Sequence, residues 1–290
     1  MTLLMIIWLA SYPKSGNTWL RFLIMSLILK DKEEINLDQL SGIKQFPSSH
    51  QYNKLNVNEI NYSNLNDISN YWIETQKIIN SDKSIKFFKT HNALCKINNN
   101  IFTDLNNTLG VIYIVRDPRN VVSSINNHYH HIDLEFSKNF IFDEKKGIMK
   151  KSKVDINNDY ALPQIIGSWK THYNSWKNMK KNYLLIKYEN LIINPKKEFK
   201  KVTDYLEELM GLNFSEKLID KAIELSSFNR LQNLEEKKGF SESVVDPNSG
   251  IRKKFFNLGP KNNWREKLNK KISNEIEKEF ENEMIELGYL

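Results

Sequence analysis

The sequence predicts an α/β fold: one domain over residues 1–290, with a mostly parallel central sheet flanked by helices. Three observations carry that expectation. Four short apolar runs, Leu3 to Leu9, Ile85 to Thr90, Val111 to Val115 and Tyr183 to Tyr188, have the length and continuity of strands buried on both faces. Helical patterns follow or separate them, and strands alternating with helices pair in parallel through right-handed crossovers. The 290 residues, 34.3 kDa, bury a substantial core, and nothing in their composition marks a second domain.

The first run ends in Tyr12-Pro13-Lys14-Ser15-Gly16-Asn17-Thr18-Trp19, and Trp19 to Leu29 is apolar enough for a buried helix. A strand that hands the chain to a helix N-terminus leaves backbone N–H groups without helical partners at the positive end of the dipole, where an oxyanion is stabilised. Gly16 allows close backbone approach, Lys14 adds a mobile cation, and Ser15, Asn17 and Thr18 add short neutral donors. The lysine precedes the glycine, so this is not a Walker A sequence and an ordinary ATP or GTP site is disfavoured. Taken alone, the pattern also fits a structural turn.

Residues 31–80, polar and Asn-rich, read as irregular or helical insertions. The second run ends in Lys89-Thr90-His91, an imidazole where parallel sheets bind ligands, suited to general base catalysis or to a structural hydrogen bond. The third ends in Arg116-Asp117-Pro118 and opens a helix to about His128. Arg116 is a forked, permanent cation suited to phosphate, and Ser124 lies two helical turns on; the alternative is an Arg–Asp salt bridge beside a solvated serine. Residues 132–158, with Lys145, Lys146, Lys150, Lys151 and Lys153, read as a lid or as a disordered surface loop. Trp169, His172, Tyr173 and Trp176 share one helical face, as packing residues do. Asn194-Pro195 opens an amphipathic helix to about Met210, and Lys267 to Leu287 reads as a charge-laced closing helix.

A formal charge of +7 and a pI near 9.1 favour an anionic ligand, but Lys and Glu are interspersed and no aromatic-basic motif appears, which argues against nucleic acid. The single cysteine, Cys95, reads as a small apolar filler and fits a reducing compartment. The N-terminal run lacks a basic flank and is too short to span a bilayer, so a cytoplasmic protein without stable membrane insertion is expected. His128, His130 and His131 lack the companion spacing of a metal site.

Three of these motifs, in this order, resemble the cytosolic-type sulfotransferases, which use 3′-phosphoadenosine 5′-phosphosulfate (PAPS). Tyr12 to Trp19 resembles that family's P-loop-like phosphosulfate loop, with Asn17 replacing a threonine. Lys89-Thr90-His91 resembles its catalytic-base segment, and Arg116 with Ser124 matches its 3′-phosphate pair. Tyr188 and the stretch Ser226-Ser227-Phe228 resemble its adenine contacts. Where the family has Arg-Lys-Gly and then tryptophan, this chain has Asn257-Leu258-Gly259 and Trp264; Arg252, Lys253 and Lys261 lie near enough in sequence to substitute. The resemblance runs from about residue 6 to about residue 268 and places a flexible cofactor-covering loop at this last motif. It implies metal-independent sulfuryl transfer, with His91 as base, Lys14 on the leaving oxygen, Lys89 near the sulfuryl group and Ser124 able to hold the lysine off. The product would be 3′,5′-adenosine diphosphate. The acceptor class (sugar, lipid, peptide, phenol or small alcohol) and the oligomeric state are left open. A Mg²⁺-dependent phosphotransferase on a divergent phosphate loop is the rival enzyme, and a salt-sensitive nucleic-acid binder the rival binding protein.

Overall fold

The computed structural model describes residues 5–29, 34, 36–57, 59–128, 133–148, 159–245, 250 and 252–290. Five strands, β1 (Ile6–Ala10), β2 (Lys44–Gln45), β3 (Lys86–Thr90), β4 (Thr108–Val115) and β5 (Tyr183–Lys187), form a sheet in the order β2-β3-β1-β4-β5. β1 pairs in parallel with β3 and β4, and β2 pairs in parallel with β3. The four expected strands are therefore present, with Leu3 and Leu4 of the first run outside the described residues. β4 begins earlier than predicted, at Thr108, with Gly110 in the ladder opposite Ile7. β2 is two residues long, too short to carry a pattern in sequence.

The helices that matter below are α1 (Asn17–Ile28), α2 (Trp72–Asn80), α3 (Pro118–His128), α4 (Trp169–Lys177), α5 (Pro195–Met210), α6 (Phe228–Lys238) and α7 (Lys270–Glu279). α5 starts and stops where its sequence says. Asn194 accepts the Lys197 N–H at 3.0 Å, Pro195 fills the first turn, and Gly211 ends the helix in the left-handed region. The closing segment departs from expectation, because it is two helices, α7 and Glu281–Glu286, joined at the fully buried Phe280. It begins at Lys270, where the Asn269 side chain caps the Ile272 N–H. Within residues 31–80 the asparagines are turn and cap residues: Asn36, Asn61 and Asn64 each accept a backbone N–H two residues on. None of the described helices is long and apolar enough to cross a membrane.

The chain divides into two compact units, each discontinuous in sequence. The first comprises Met1–Tyr12, Ile43–Ile114 and Asp143–Leu185; the second comprises Pro13–Gly42, Val115–Phe142 and Ile186–Leu290. In the first, Trp8 sits opposite Phe88 and Val111 on one sheet face, with the rings of Phe46 and Phe102 each 5.4 Å away. In the second, Phe22 of α1 clusters with Leu37, Leu40, Leu225, Leu231, Phe240 and Phe256. There Arg119 binds Asp117 at 2.7 Å, Glu277 at 2.6 Å and the Tyr289 carbonyl at 2.8 Å, while its guanidinium lies 4.0 Å from the centre of the Trp264 ring.

Beside Trp8 a buried hydrogen-bond chain has only one possible proton order. The indole N–H donates to Thr108 Oγ1 at 2.9 Å, and because the Thr103 proton goes to Gln76, the Thr108 hydroxyl donates to Thr103 Oγ1 at 2.8 Å. Thr103 donates to Gln76 Oε1 at 2.5 Å, and Gln76 Nε2 donates to the Phe102 carbonyl at 2.6 Å. Thr108→Val is expected to strand the indole N–H and cost about 1–3 kcal/mol by urea denaturation, and the same substitution should cost less in a Trp8→Phe background. A Thr108→Val protein as stable as the parent would show that the indole has another partner.

Candidate active site

In the second unit the chain turns sharply through two left-handed residues, Lys14 at φ 66° and Gly16 at φ 102°, and enters α1 at Asn17. Glycine takes that conformation freely. Lys14 takes it at a cost of order 1 kcal/mol, a strain that persists only where surrounding contacts fix it. One such contact is Arg116, whose Nη1 donates to the Lys14 carbonyl at 2.9 Å. Ser15 between them is 1% exposed, and its Oγ has no hydrogen-bond partner among the described residues. An unmet buried hydroxyl costs about 1–3 kcal/mol. Together with an α-helical N-terminus it fits an anionic oxygen.

Around this turn the structure gathers the other expected residues of the second unit. The Arg116 guanidinium lies 4.3 Å from the centre of the Tyr188 ring, and Trp19 meets Tyr188 edge-on at 5.8 Å. Trp19 Nε1 donates to the Ser226 carbonyl at 2.8 Å, and Ser226 itself is fully buried with its Oγ 3.1 Å from Ser26 Oγ. Ser227 is the N-cap of α6, and Phe228 opens it. Gly259, at φ 50°, lies so close to Phe228 that a Cβ would sit 2.2 Å from the ring, so glycine is required there twice over. Burial raises the Tyr188 hydroxyl above its ordinary pKa, opposed by Arg116. Asp117 pairs with Arg119, not with Arg116 as the salt-bridge alternative has it.

Other expected residues are less gathered. Thr18 Oγ1 donates to Glu242 at 2.9 Å, and Glu242 also pairs with Arg21 at 2.6 Å. Ser124 is half-buried on α3; its neighbour Ser123 donates to Asn262 Oδ1 at 2.9 Å, and Asn262 Nδ2 donates back to the Asn120 carbonyl at 3.0 Å. Arg252 is exposed and gives Nη1 to the Phe240 carbonyl at 2.9 Å, while Lys253 and Lys261 are exposed. Lys150, Lys151, Lys153, His130 and His131 lie outside the described residues.

In the first unit, His91 follows β3, and a fixed tautomer distinguishes it. Nδ1 lies 2.8 Å from the Ser11 carbonyl, an atom that only accepts, so Nδ1 carries the proton and Nε2 is the basic nitrogen. The Ser11 hydroxyl stands 3.3 Å from the same Nδ1. Gln164 Oε1 accepts the His91 N–H at 3.0 Å. The His91 carbonyl accepts from His172 Nε2 at 3.1 Å, and His172 Nδ1 in turn accepts from the Tyr113 hydroxyl at 2.8 Å. Lys89, half-buried on β3, sits opposite Leu9. Cys95 is half-buried, its thiol pushed up to about 11 by burial, as suits an inert filler.

A family model described as the sulfotransferase domain matches residues 6–288. The chain belongs to the sulfotransferase domain family. Cytosolic sulfotransferase 16 of Arabidopsis thaliana is 24% identical over 287 residues, 97% of this chain and 76% of the relative. The 3-beta-hydroxysteroid sulfotransferase of Cavia porcellus is 24% identical over 281 residues, 94% of this chain and 82% of the relative. Among solved structures, mouse sulfotransferase SULT7A1 complexed with PAP aligns at a TM-score of 0.60 and 20% identity, over 97% of this chain and 84% of that one. This last likeness bears on the fold.

For a sulfotransferase chain, several residues at the site escape sequence reading. Arg21 carried a signal: a cation one turn beyond Thr18 in an apolar helix needs a buried partner. Its partner Glu242, 221 residues away, carried none. His172 was read as packing, and it packs, fully buried, yet it also holds the His91 carbonyl. Burial lowers the His172 imidazole from 6.5 to about 3, against the opposing hydrogen bond to His91.

The folded value lies below the unfolded one, so the neutral ring contributes fully above pH 6.5. Below that, the unfolded chain binds a proton that the folded chain refuses, and stability falls by up to about 1.4 kcal/mol per pH unit until about pH 3. In urea titrations at pH 7.5 and 5.5, the parent is expected to lose about 1.4 kcal/mol more than His172→Gln. Equal losses would mean that the folded ring accepts the proton.

Proposed function

We propose that this chain is a PAPS-dependent sulfotransferase, a single cytoplasmic domain that passes a sulfuryl group to a hydroxyl or amine of a small-molecule, sugar, lipid or peptide acceptor without a metal. The observation that carries the donor reading is the left-handed turn at Lys14 and Gly16, with the unmet Ser15 hydroxyl, at the start of α1. It supports binding of a 5′-phosphate by Ser15, Gly16, Asn17 and Thr18. The cation Arg116 beside the Tyr188 ring supports a nucleotide 3′-phosphate, and Trp19, Ser226, Ser227 and Phe228 an adenine ring. Gly259 keeps the backbone close to Phe228, and Ser124, Arg252 and Lys253 are the further candidates for the 3′-phosphate.

The donor supplies a sulfuryl group on a good leaving phosphate. The chain's own residues would do the rest. Lys14 would stabilise charge on the leaving oxygen, with Lys89 assisting and Ser124 restraining the lysine. His91 would take the acceptor proton at Nε2, since its Nδ1 proton is committed to the Ser11 carbonyl. Cations fixed in the fold would supply the charge stabilisation that a metal ion supplies to nucleoside triphosphate enzymes.

The deciding measurement is thermal stabilisation by 3′,5′-adenosine diphosphate (PAP) against ATP with Mg²⁺. Stabilisation by PAP at micromolar concentration is expected, and selective stabilisation by ATP with Mg²⁺ would overturn the donor reading. His91→Ala should abolish turnover while leaving PAP affinity within about threefold, whereas Lys14→Ala should lose turnover too.

Glu242 gives a sharper test. Thr18 has one hydroxyl proton, and it goes to the Glu242 carboxylate. Glu242→Gln removes a competing charge while keeping an acceptor for Arg21, so PAP should bind about three- to tenfold tighter by calorimetry. Weaker binding would make Glu242 a support of the site instead of a competitor.

A further inference from the structure

Lys14 is fixed at both ends. Its carbonyl is held by Arg116, and its ammonium lies 4.2 Å from the centre of the Phe255 ring. That ring is itself boxed in by Phe240 at 5.1 Å, Phe256 at 5.3 Å and, edge-on, His128 at 6.2 Å. The backbone behind it is tied to α6. Glu235 Oε1 accepts the Phe255 N–H at 2.6 Å and the Ser243 hydroxyl at 2.9 Å, and Oε2 accepts the Phe256 N–H at 2.8 Å.

Glu235 is 7% exposed, and the partners it has among the described residues are those neutral donors, with no cation. A buried carboxylate is costly unless its oxygens are met. Here the groups that meet it are the backbone of the two phenylalanines, so satisfying the charge fixes the position of the Phe255 ring.

We infer that Phe255 is a positioning residue for Lys14 and that Glu235 is its anchor. The ring's negative face holds the ammonium in place before any nucleotide arrives, and the lysine's rotamer freedom is surrendered on folding instead of on binding. The inference rests on the donor reading above, in which Lys14 meets the 5′-phosphate. An aliphatic side chain would fill the same space without holding a cation, which separates this role from packing.

Calorimetry at pH 8 with two nucleotides tests it. PAP carries both phosphates; adenosine 3′-monophosphate keeps the nucleoside and 3′-phosphate but lacks the 5′-phosphate. Phe255→Leu is expected to weaken PAP about five- to tenfold with little change for the 3′-monophosphate, and Phe255→Tyr to keep both within about twofold. In a Lys14→Ala background, Phe255→Leu should cost PAP nothing further. Glu235→Gln should show the same selective loss as Phe255→Leu. Equal losses of both nucleotides in Phe255→Leu, or a Tyr variant as weak as the Leu variant, would overturn the inference and leave Phe255 a packing residue. An equal loss of both in Glu235→Gln would remove Glu235 as the anchor. If the parent binds neither nucleotide, the donor reading itself fails, and this inference with it.

Discussion

The constraint on which the contacts around α1 depend is the backbone turn at Lys14 and Gly16. A non-glycine residue in the left-handed region is uphill, and it stays there because its neighbours leave no alternative. Arg116 pulls on the carbonyl, Phe255 meets the side chain, and α1 begins one residue after Gly16. Contacts run on from Arg116: it faces Tyr188, Tyr188 meets Trp19, and Trp19 holds the Ser226 carbonyl. Loosening the turn would therefore disturb the whole set.

Charge is arranged differently in the two units. In the second, carboxylates at Glu242, Asp117 and Glu277 balance Arg21 and Arg119. His91 is oriented by hydrogen bonds to neutral groups. A carbonyl takes the Nδ1 proton, an amide oxygen takes the backbone N–H, and a second imidazole, itself held by a phenol, donates to the His91 carbonyl, so the ring keeps its proton on one side.

Much of this was legible in the sequence where a local rule applied. The apolar runs gave the strands, Asn194-Pro195 and Gly211 bounded α5, and the order of lysine and glycine in the first loop set it apart from a Walker motif. What was not legible depends on long-range pairing. Glu242 meets Thr18, Glu235 meets Phe255, and Gln164 meets His91 across separations no periodicity records. The closing helix was misjudged as continuous because Phe280 fits its apolar stripe, yet Phe280 is where the backbone breaks.

The interleaving of the two units bears on synthesis. A nascent chain that has emerged through Leu185 contains every segment of the first unit. It contains the turn at Lys14 and Gly16 as well, but none of the residues from Ile186 onward that complete the second unit. Tyr188, Ser226, Glu235 and Phe255 all arrive after that point. The turn is thus translated ahead of the residues that surround it, and those contacts form only once the segment from Ile186 onward has appeared.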